Sequence, residues 1–318
     1  MRRAAVALAA ALGAAILVAF PFWSREWESS RYATTVLRDI LVFAILALSL
    51  DLLIGYTGLP SLGHAAFFGA GAYAAAIAGQ RLGTDGLLVT LPVAVLVAGL
   101  LAAIIGTLAV RASGIFFLML TLALAQMVFS FAFQATELTG GSNGFAGVGR
   151  PTLGGLSFAD GDALFALVAT AFLLVLLLVR RVASSSYGHV LVGVRENERR
   201  MRALGYDTRA IKLSVFVLAG AIAGLAGALS AYSLRFVSPN DASLGTSITA
   251  FVMVLIGGAG SLAGPAVGAV VVIFIERVLN SSIAFSQTVL GLLFIAFVLA
   301  ARQGVAGLAR DLWLRVRA

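Results

Sequence analysis

The sequence predicts an all-α, polytopic membrane protein of about ten hydrophobic helical segments, some of them broken, with both termini cytoplasmic. Three observations lead there. Only 11% of the 318 residues are charged and 61% are hydrophobic, whereas a soluble domain needs roughly 25% charged residues to cover its surface. The mean hydropathy of +1.04 is concentrated in runs that approach the ~20 residues needed to cross a ~30 Å hydrocarbon core. The 35 glycines agree, because glycine is commoner in membrane helices than in soluble ones.

Within lipid each backbone group must be satisfied inside its own segment, so the runs are helices rather than open strands. In order they cover approximately Ala4–Phe22, Val36–Gly55, Ser61–Gln80, Leu87–Val110, Gly114–Gln134, Ala163–Val179, Leu213–Leu234, Leu244–Gly260, Leu262–Asn280 and Phe285–Ala301. The first follows Arg2 and Arg3 and reads as an uncleaved span, because Ala19-Phe20-Pro21-Phe22-Trp23 offers no small-x-small cleavage site. Trp23 and Trp27 then fall at the interface. The whole chain, 1–318, reads as one membrane domain with a long polar loop at 184–212.

Arginine sets the orientation. All but one of the 22 basic residues are Arg, the exception being Lys212. Eight of them crowd between Arg180 and Lys212, which places that loop in the cytoplasm. Counting spans from it puts Arg2 and Arg3 inside, and also Arg302, Arg310, Arg315 and Arg317. The stretch Thr136–Asp162, with Glu137, Asp160 and Asp162 against Arg150, falls outside. Topology therefore accounts for the net charge of +8 without nucleic acid.

Several chemistries are excluded. There is no cysteine, and the two histidines, His64 and His189, have no metal-ligand or catalytic spacing around them. Lys212 follows Ile211, so no Gly-Lys-Ser/Thr phosphate loop exists, and energy from ATP has to come from a partner. Polar groups at membrane depth are few, at about 2.5–3.5 kcal/mol for a central charge. Asp51 reads either as a capped or snorkelling carboxylate near the inner interface or as a participant in substrate or proton movement. His64 reads as a packing donor or a proton carrier, and Gln126 as an interhelical bond or a pore wall. Adjacent Glu276 and Arg277 read as an interfacial charged pair.

Two spans are interrupted, at Gly55-Tyr56-Thr57-Gly58-Leu59-Pro60 and at Gly257-Gly258-Ala259-Gly260 with Gly264-Pro265. Both carry Leu-Ile-Gly-x-x-Gly, from Leu53 and from Leu255. Broken helices at related places in two halves point to a transport pathway, although in a glycine-rich chain so short a match also arises by chance. Gly220-x-x-x-Gly224 and Gly264-x-x-x-Gly268 permit close helix crossing. The outer loop Thr139–Gly144 reads as a flexible cover or a turn-rich connection. In the cytoplasmic loop, Gly193–Gly205 reads as a short polar helix ending at a glycine. Its charges and an apolar side at Met201 and Leu204 suit either docking into another protein's groove or lying on its own chain.

The run Asp51-Leu52-Leu53-Ile54-Gly55-Tyr56-Thr57-Gly58-Leu59-Pro60-Ser61-Leu62-Gly63-His64-Ala65-Ala66-Phe67-Phe68-Gly69 resembles the signature of branched-chain amino acid ABC importer permeases, the LivM-like subunits. Three further blocks resemble that family in order and spacing: Leu120-Thr121-Leu122-Ala123 with Thr139–Gly144, Val194–Glu198 with Ala203-Leu204-Gly205, and Gly257–Pro265. The resemblance implies a bacterial inner-membrane importer with a second, homologous permease subunit, two cytoplasmic ATPase subunits and a periplasmic solute-binding protein. It implies no cofactor in this chain, with ATP and Mg held by the ATPases. Arg195, Glu196, Asn197, Glu198, Arg199, Arg200, Ala203, Leu204 and Gly205 would couple to an ATPase. Asp51, Gly55, Gly58, Ser61, Gly63, His64, Thr121, Gln126, Gly257, Gly260, Gly264 and Pro265 would form hinges or pathway walls in an alternating-access cycle. Related permeases also carry urea, short amides and aromatic acids. Gly63-His64-Ala65 looks more like the amino acid permeases. An ion-coupled secondary transporter is the rival of another class, with Asp51 as its one deep carboxylate.

Overall fold

The computed structural model describes residues 30–82, 86–282 and 291–292. The first expected segment, Ala4–Phe22, lies outside the described residues, as does the tenth, Phe285–Ala301, apart from 291–292. The described chain is all-α. Its helices are α1 (Ser30–Asp51), which runs on into a π-helical turn (Leu52–Thr57), α2 (His64–Leu82), α3 (Leu87–Ala109), α4 (Ile115–Gln134) and α5 (Gly161–Ala183). After these come α6 (Ser186–Ala203), α7 (Thr208–Leu234), α8 (Leu244–Gly257) and α9 (Gly264–Ser282). Every expected segment from the second to the ninth has its helix, and α6 is the polar one between spans.

Among the described residues five helices are long and apolar enough to cross a membrane: Tyr32–Thr57, Leu87–Ala109, Ile115–Gln134, Gly161–Ala183 and Thr208–Leu234. The expected span Leu244–Gly260 stops three residues early. Its 14 residues rise only about 21 Å, short of a ~30 Å core. α8 therefore turns back at Gly258 and continues as α9, and the two halves form a hairpin.

Position in the bundle follows from side-chain size. α1 is the central post, with 83% of its apolar window buried in the protein, against 22% for α4, which lies on the periphery. α7 is wedged between α2 and α3 because its small residues let backbones touch. A Cβ on Gly224 would lie 2.2 Å from the Ala98 Cβ of α3, and one on Gly227 would lie 1.9 Å from the Phe68 carbonyl oxygen of α2. Gly268 does the same for the hairpin, sitting against the Met253 carbonyl of α8. Edge-to-face contacts of Phe216 with Phe67 (5.4 Å) and Phe117 (6.0 Å) join α7 to α2 and α4.

The stretch between α4 and α5 is ordered rather than an open flexible loop. Thr139 is buried, donates its hydroxyl back to the end of α4 and accepts from the Gly141 amide at 3.2 Å. Two small antiparallel ribbons follow: β1 (Phe145–Ala146) pairs with β4 (Phe236–Val237) beyond α7, and β2 (Thr152–Leu153) pairs with β3 (Leu156–Ser157).

Candidate functional site

The two helix breaks, about 200 residues apart in sequence, meet in space. At the first, the chain leaves α1 through the π turn and stops at Gly58, whose φ of +71° suits a residue without a Cβ. Pro60 follows and cannot continue a helix. The closure is one residue wider than a usual glycine-capped end: the Gly58 amide bonds the Ile54 carbonyl and the Leu59 amide reaches the Leu53 carbonyl at 2.8 Å. In an α-helix the Leu59 amide would serve the Gly55 carbonyl. That carbonyl is thus released and needs a donor from elsewhere.

The second break supplies the neighbouring half. The Gly260 amide donates to Asp51 Oδ1 at 2.8 Å, and Asp51 is 1% exposed. Asp51 is thus a capped carboxylate sealed inside the protein, not one snorkelling to an interface. Gly55 and Gly260 touch backbone to backbone, since a Cβ on Gly55 would lie 2.1 Å from the Gly260 nitrogen. Gly260 itself has a φ of +78°. Gly257, Gly264 and Pro265 close the hairpin behind it: a Cβ on Gly257 would lie 1.9 Å from the Gly264 carbonyl oxygen, with the Pro265 nitrogen next.

Arg195 fills the remaining corner. Its Nη1 donates to the released Gly55 carbonyl, its stem lies over Gly58, and its guanidinium faces Gly260. One arginine of the polar loop thus holds both breaks, together with Asp51. A guanidinium suits the task because its fork presents several donors at once.

Around this junction the other anticipated residues divide. Gly63 packs against Thr121 of α4, its missing Cβ lying 2.5 Å from the Thr121 carbonyl oxygen. Buried Ser61 accepts from the Gly63 amide at 3.2 Å. His64 bonds Ser49 through Nε2 at 2.7 Å, and Ser49 spends its one proton on the Leu46 carbonyl. His64 must therefore be the donor, and the bond joins α2 to α1. The Ala65 amide, at the start of α2, is capped by Ser247 of α8 at 3.0 Å. Gln126 stands apart on the exposed flank of α4.

The polar helix α6 is bent at Asn197 (φ −157°, ψ 90°). Asn197 restarts it as an N-cap, its Oδ1 accepting from the Arg200 amide at 3.0 Å. Glu198 then accepts from Arg202 (2.5 Å), Lys212 (2.9 Å) and the Thr208 hydroxyl (3.0 Å), which fastens α6 to the start of α7. Burial works against the Glu198 charge, yet those hydrogen bonds and the Lys212 charge outweigh it and hold the carboxyl down at about 2. The rest of the expected docking surface is exposed: Glu196, Arg199, Arg200, Ala203, Leu204 and Gly205. Met201 is not part of it, because it is buried against Gly193 of the same helix, and the apolar residues left outward are Leu204 and Tyr206.

Two ion pairs were missed by reading the chain as a string. Arg277 does not turn to its neighbour Glu276 but bonds Asp39 of α1, tying α9 to the central post. Lys212 anchors Glu198, and the available signal was that a chain otherwise using arginine keeps a single lysine at the start of α7.

Glu198→Gln tests the fastening. Losing the charge leaves buried Lys212 without its anion and should cost about 1.5–3 kcal/mol of local stability, read as faster amide exchange across 198–212. In the native chain the carboxylate contributes in full above about 4.5, its ordinary value, and the contribution fades as pH falls toward about 2.

The chain matches the family model described as branched-chain amino acid transport system / permease component over residues 32–298. It is 29% identical to the high-affinity branched-chain amino acid transport system permease protein LivM of Escherichia coli (strain K12), aligning 93% of this chain with 73% of that one. The protein of the same name from Salmonella typhimurium is equally similar, at 29% with the same coverage. The probable branched-chain amino acid transport permease protein LivM of Methanocaldococcus jannaschii is 25% identical over 75% of this chain and 79% of its own. No solved structure matches the chain.

Proposed function

The chain belongs to the family of branched-chain amino acid transport system permease components, and on that basis we propose that it is the permease subunit of an ATP-binding-cassette importer for branched-chain amino acids or closely related small solutes. Its partners in this reading are a second, homologous permease subunit, two ATPase subunits that hold ATP and Mg, and a periplasmic solute-binding protein. The protein sits in a bacterial inner membrane with α6 in the cytoplasm.

One observation supports this more than any other: Arg195, in the helix that would dock on an ATPase, is bonded to the point where two broken helices meet. A push or pull on α6 reaches the breaks through one side chain. Closing of the ATPases would move α6, release or tighten Arg195 on Gly55, and rock the hairpins α1–α2 and α8–α9 against each other. Solute would then be exposed first to one side and then to the other. Asp51 is a structural acceptor for Gly260 in this mechanism, not an ion carrier.

Asp51→Asn separates that role from ion coupling. An amide oxygen also accepts from the Gly260 amide, so uptake should stay within about threefold of the native rate, a loss under ~1 kcal/mol. The assay is leucine, isoleucine and valine uptake in proteoliposomes, with the chain alone and with its candidate partners, with and without ATP, and with urea and benzoate as comparison solutes. ATP-dependent uptake that needs every partner is the expected result. Ion-gradient-driven uptake by the chain alone, abolished by Asp51→Asn, would establish the secondary transporter instead.

A further inference from the structure

A groove of about 660 Å³ lies between α2, α3 and α4, along the part of α2 remote from the helix breaks. Four-residue spacing on α2 (Ala70, Ala74, Ala78) and α3 (Val93, Val97, Leu101) gives it two straight apolar walls. On α4, Met127 and Phe131 are 67% and 61% exposed, so the groove opens sideways on the face that a bilayer would cover. The hydroxyl of Tyr73 in the wall is sealed from solvent and has no hydrogen-bond partner among the described residues. Apart from the Tyr73 and Thr139 hydroxyls and Arg81 the lining is apolar, so the two charges of a zwitterionic solute would not both be met, whereas a hydrocarbon chain needs no partner.

The ends of the groove fix what kind of chain. From Gly69 to Arg81 the helix α2 rises about 18 Å at ~1.5 Å per residue, close to the ~15 Å of one leaflet. Arg81 stands at the mouth, exposed, with no ion pair among the described residues. Arginine in that place lays its methylenes on apolar surface and presents its guanidinium at headgroup level, where a phosphate is its natural bidentate partner. We propose that the groove is a binding site for an anionic phospholipid, with one acyl chain along α2 and the phosphate on Arg81. In the orientation given above, that lipid belongs to the outer leaflet.

The test uses the full chain purified in detergent, exchanged into a mild neutral detergent and then offered phosphatidylglycerol, phosphatidylethanolamine or oleic acid. Bound lipid is counted by native mass spectrometry. One tightly held phosphatidylglycerol per chain is expected, preferred over phosphatidylethanolamine by about fivefold, the worth of one arginine at an anionic surface. Arg81→Gln should erase that preference while leaving a chain bound. Ala74→Leu, which fills the groove, should remove binding of both lipids, with the helical circular dichroism of the native chain as the check on folding. Equal retention of the two lipids by the native chain, oleic acid outcompeting both, or unchanged retention in Ala74→Leu would overturn the proposal. Loss of the lipid when the partner permease is added would also overturn it and assign the groove to that subunit.

Discussion

Replacing Arg195 with Ala should leave the chain folded and able to assemble, yet cut ATP-driven uptake by roughly tenfold to a hundredfold. That range corresponds to the ~1.5–3 kcal/mol of a charge-assisted hydrogen bond. Arg195 is exposed for much of its length and its loss opens no core cavity, so the effect falls on coupling rather than on stability. The Gly55 carbonyl would then take water, and α6 would move without dragging the breaks. ATP hydrolysis by the assembled complex should persist, so the ratio of solute moved to ATP consumed is the quantity to measure. Arg195→Lys keeps one donor but not the fork, and should recover part of that ratio. Should Arg195→Ala transport with native stoichiometry, the arginine is only a tether and the coupling path lies elsewhere.

Gly55→Val should have the opposite signature, abolishing both the folded junction and transport. A Cβ at this position meets the Gly260 nitrogen at 2.1 Å and Asp51 Oδ1 at 2.3 Å. All three atoms nearest to it belong to backbone or to a buried carboxylate, and none swings aside as a long side chain would. The hairpins must part, which breaks the Asp51–Gly260 bond and leaves a buried carboxylate without its donor, at about 1–3 kcal/mol beyond the overpacking cost of about 1–3 kcal/mol. Thermal unfolding in detergent should shift down sharply, and little chain should survive in the membrane. Gly58→Ala is the milder companion, because there the obstacle is the flexible Arg195 stem together with a left-handed backbone. Native stability in Gly55→Val would mean that the two breaks do not touch in the membrane.

Much of this architecture could be read along the chain. The order of the helices from the second expected segment to the ninth was legible in apolar run length, because a helix in lipid must satisfy its own backbone and that requirement is local. How many cross was not, since α8 is too short to span. The breaks were visible at Gly58-Leu59-Pro60 and Gly264-Pro265, since glycine and proline act through their own dihedral angles. The polar helix was visible only in part, expected over Gly193–Gly205 and found over Ser186–Ala203, with its stop near Gly205. Even the close packing of α7 was foreshadowed by Gly220-x-x-x-Gly224.

Partnership was not legible. Gln126 and Asp51 are both polar residues at membrane depth, yet one lies on an exposed flank and the other is sealed against Gly260. Nothing within a few residues of either distinguishes them. Met201 and Leu204 read as one apolar side, suited to a partner's groove or to their own chain, yet the two part: α6 bends at Asn197 and brings Met201 back over Gly193 while Leu204 stays exposed. Arg277 passed over its neighbour Glu276 for Asp39, 238 residues away. The sequence by itself determined which stretches are helical, where they break and which loop carries the charge, because those follow from backbone satisfaction and local dihedral preference. Only the tertiary structure decided that the two breaks are one site and that Arg195 holds it, because a hydrogen bond between remote segments depends on how whole helices pack, and packing is set by every contact at once.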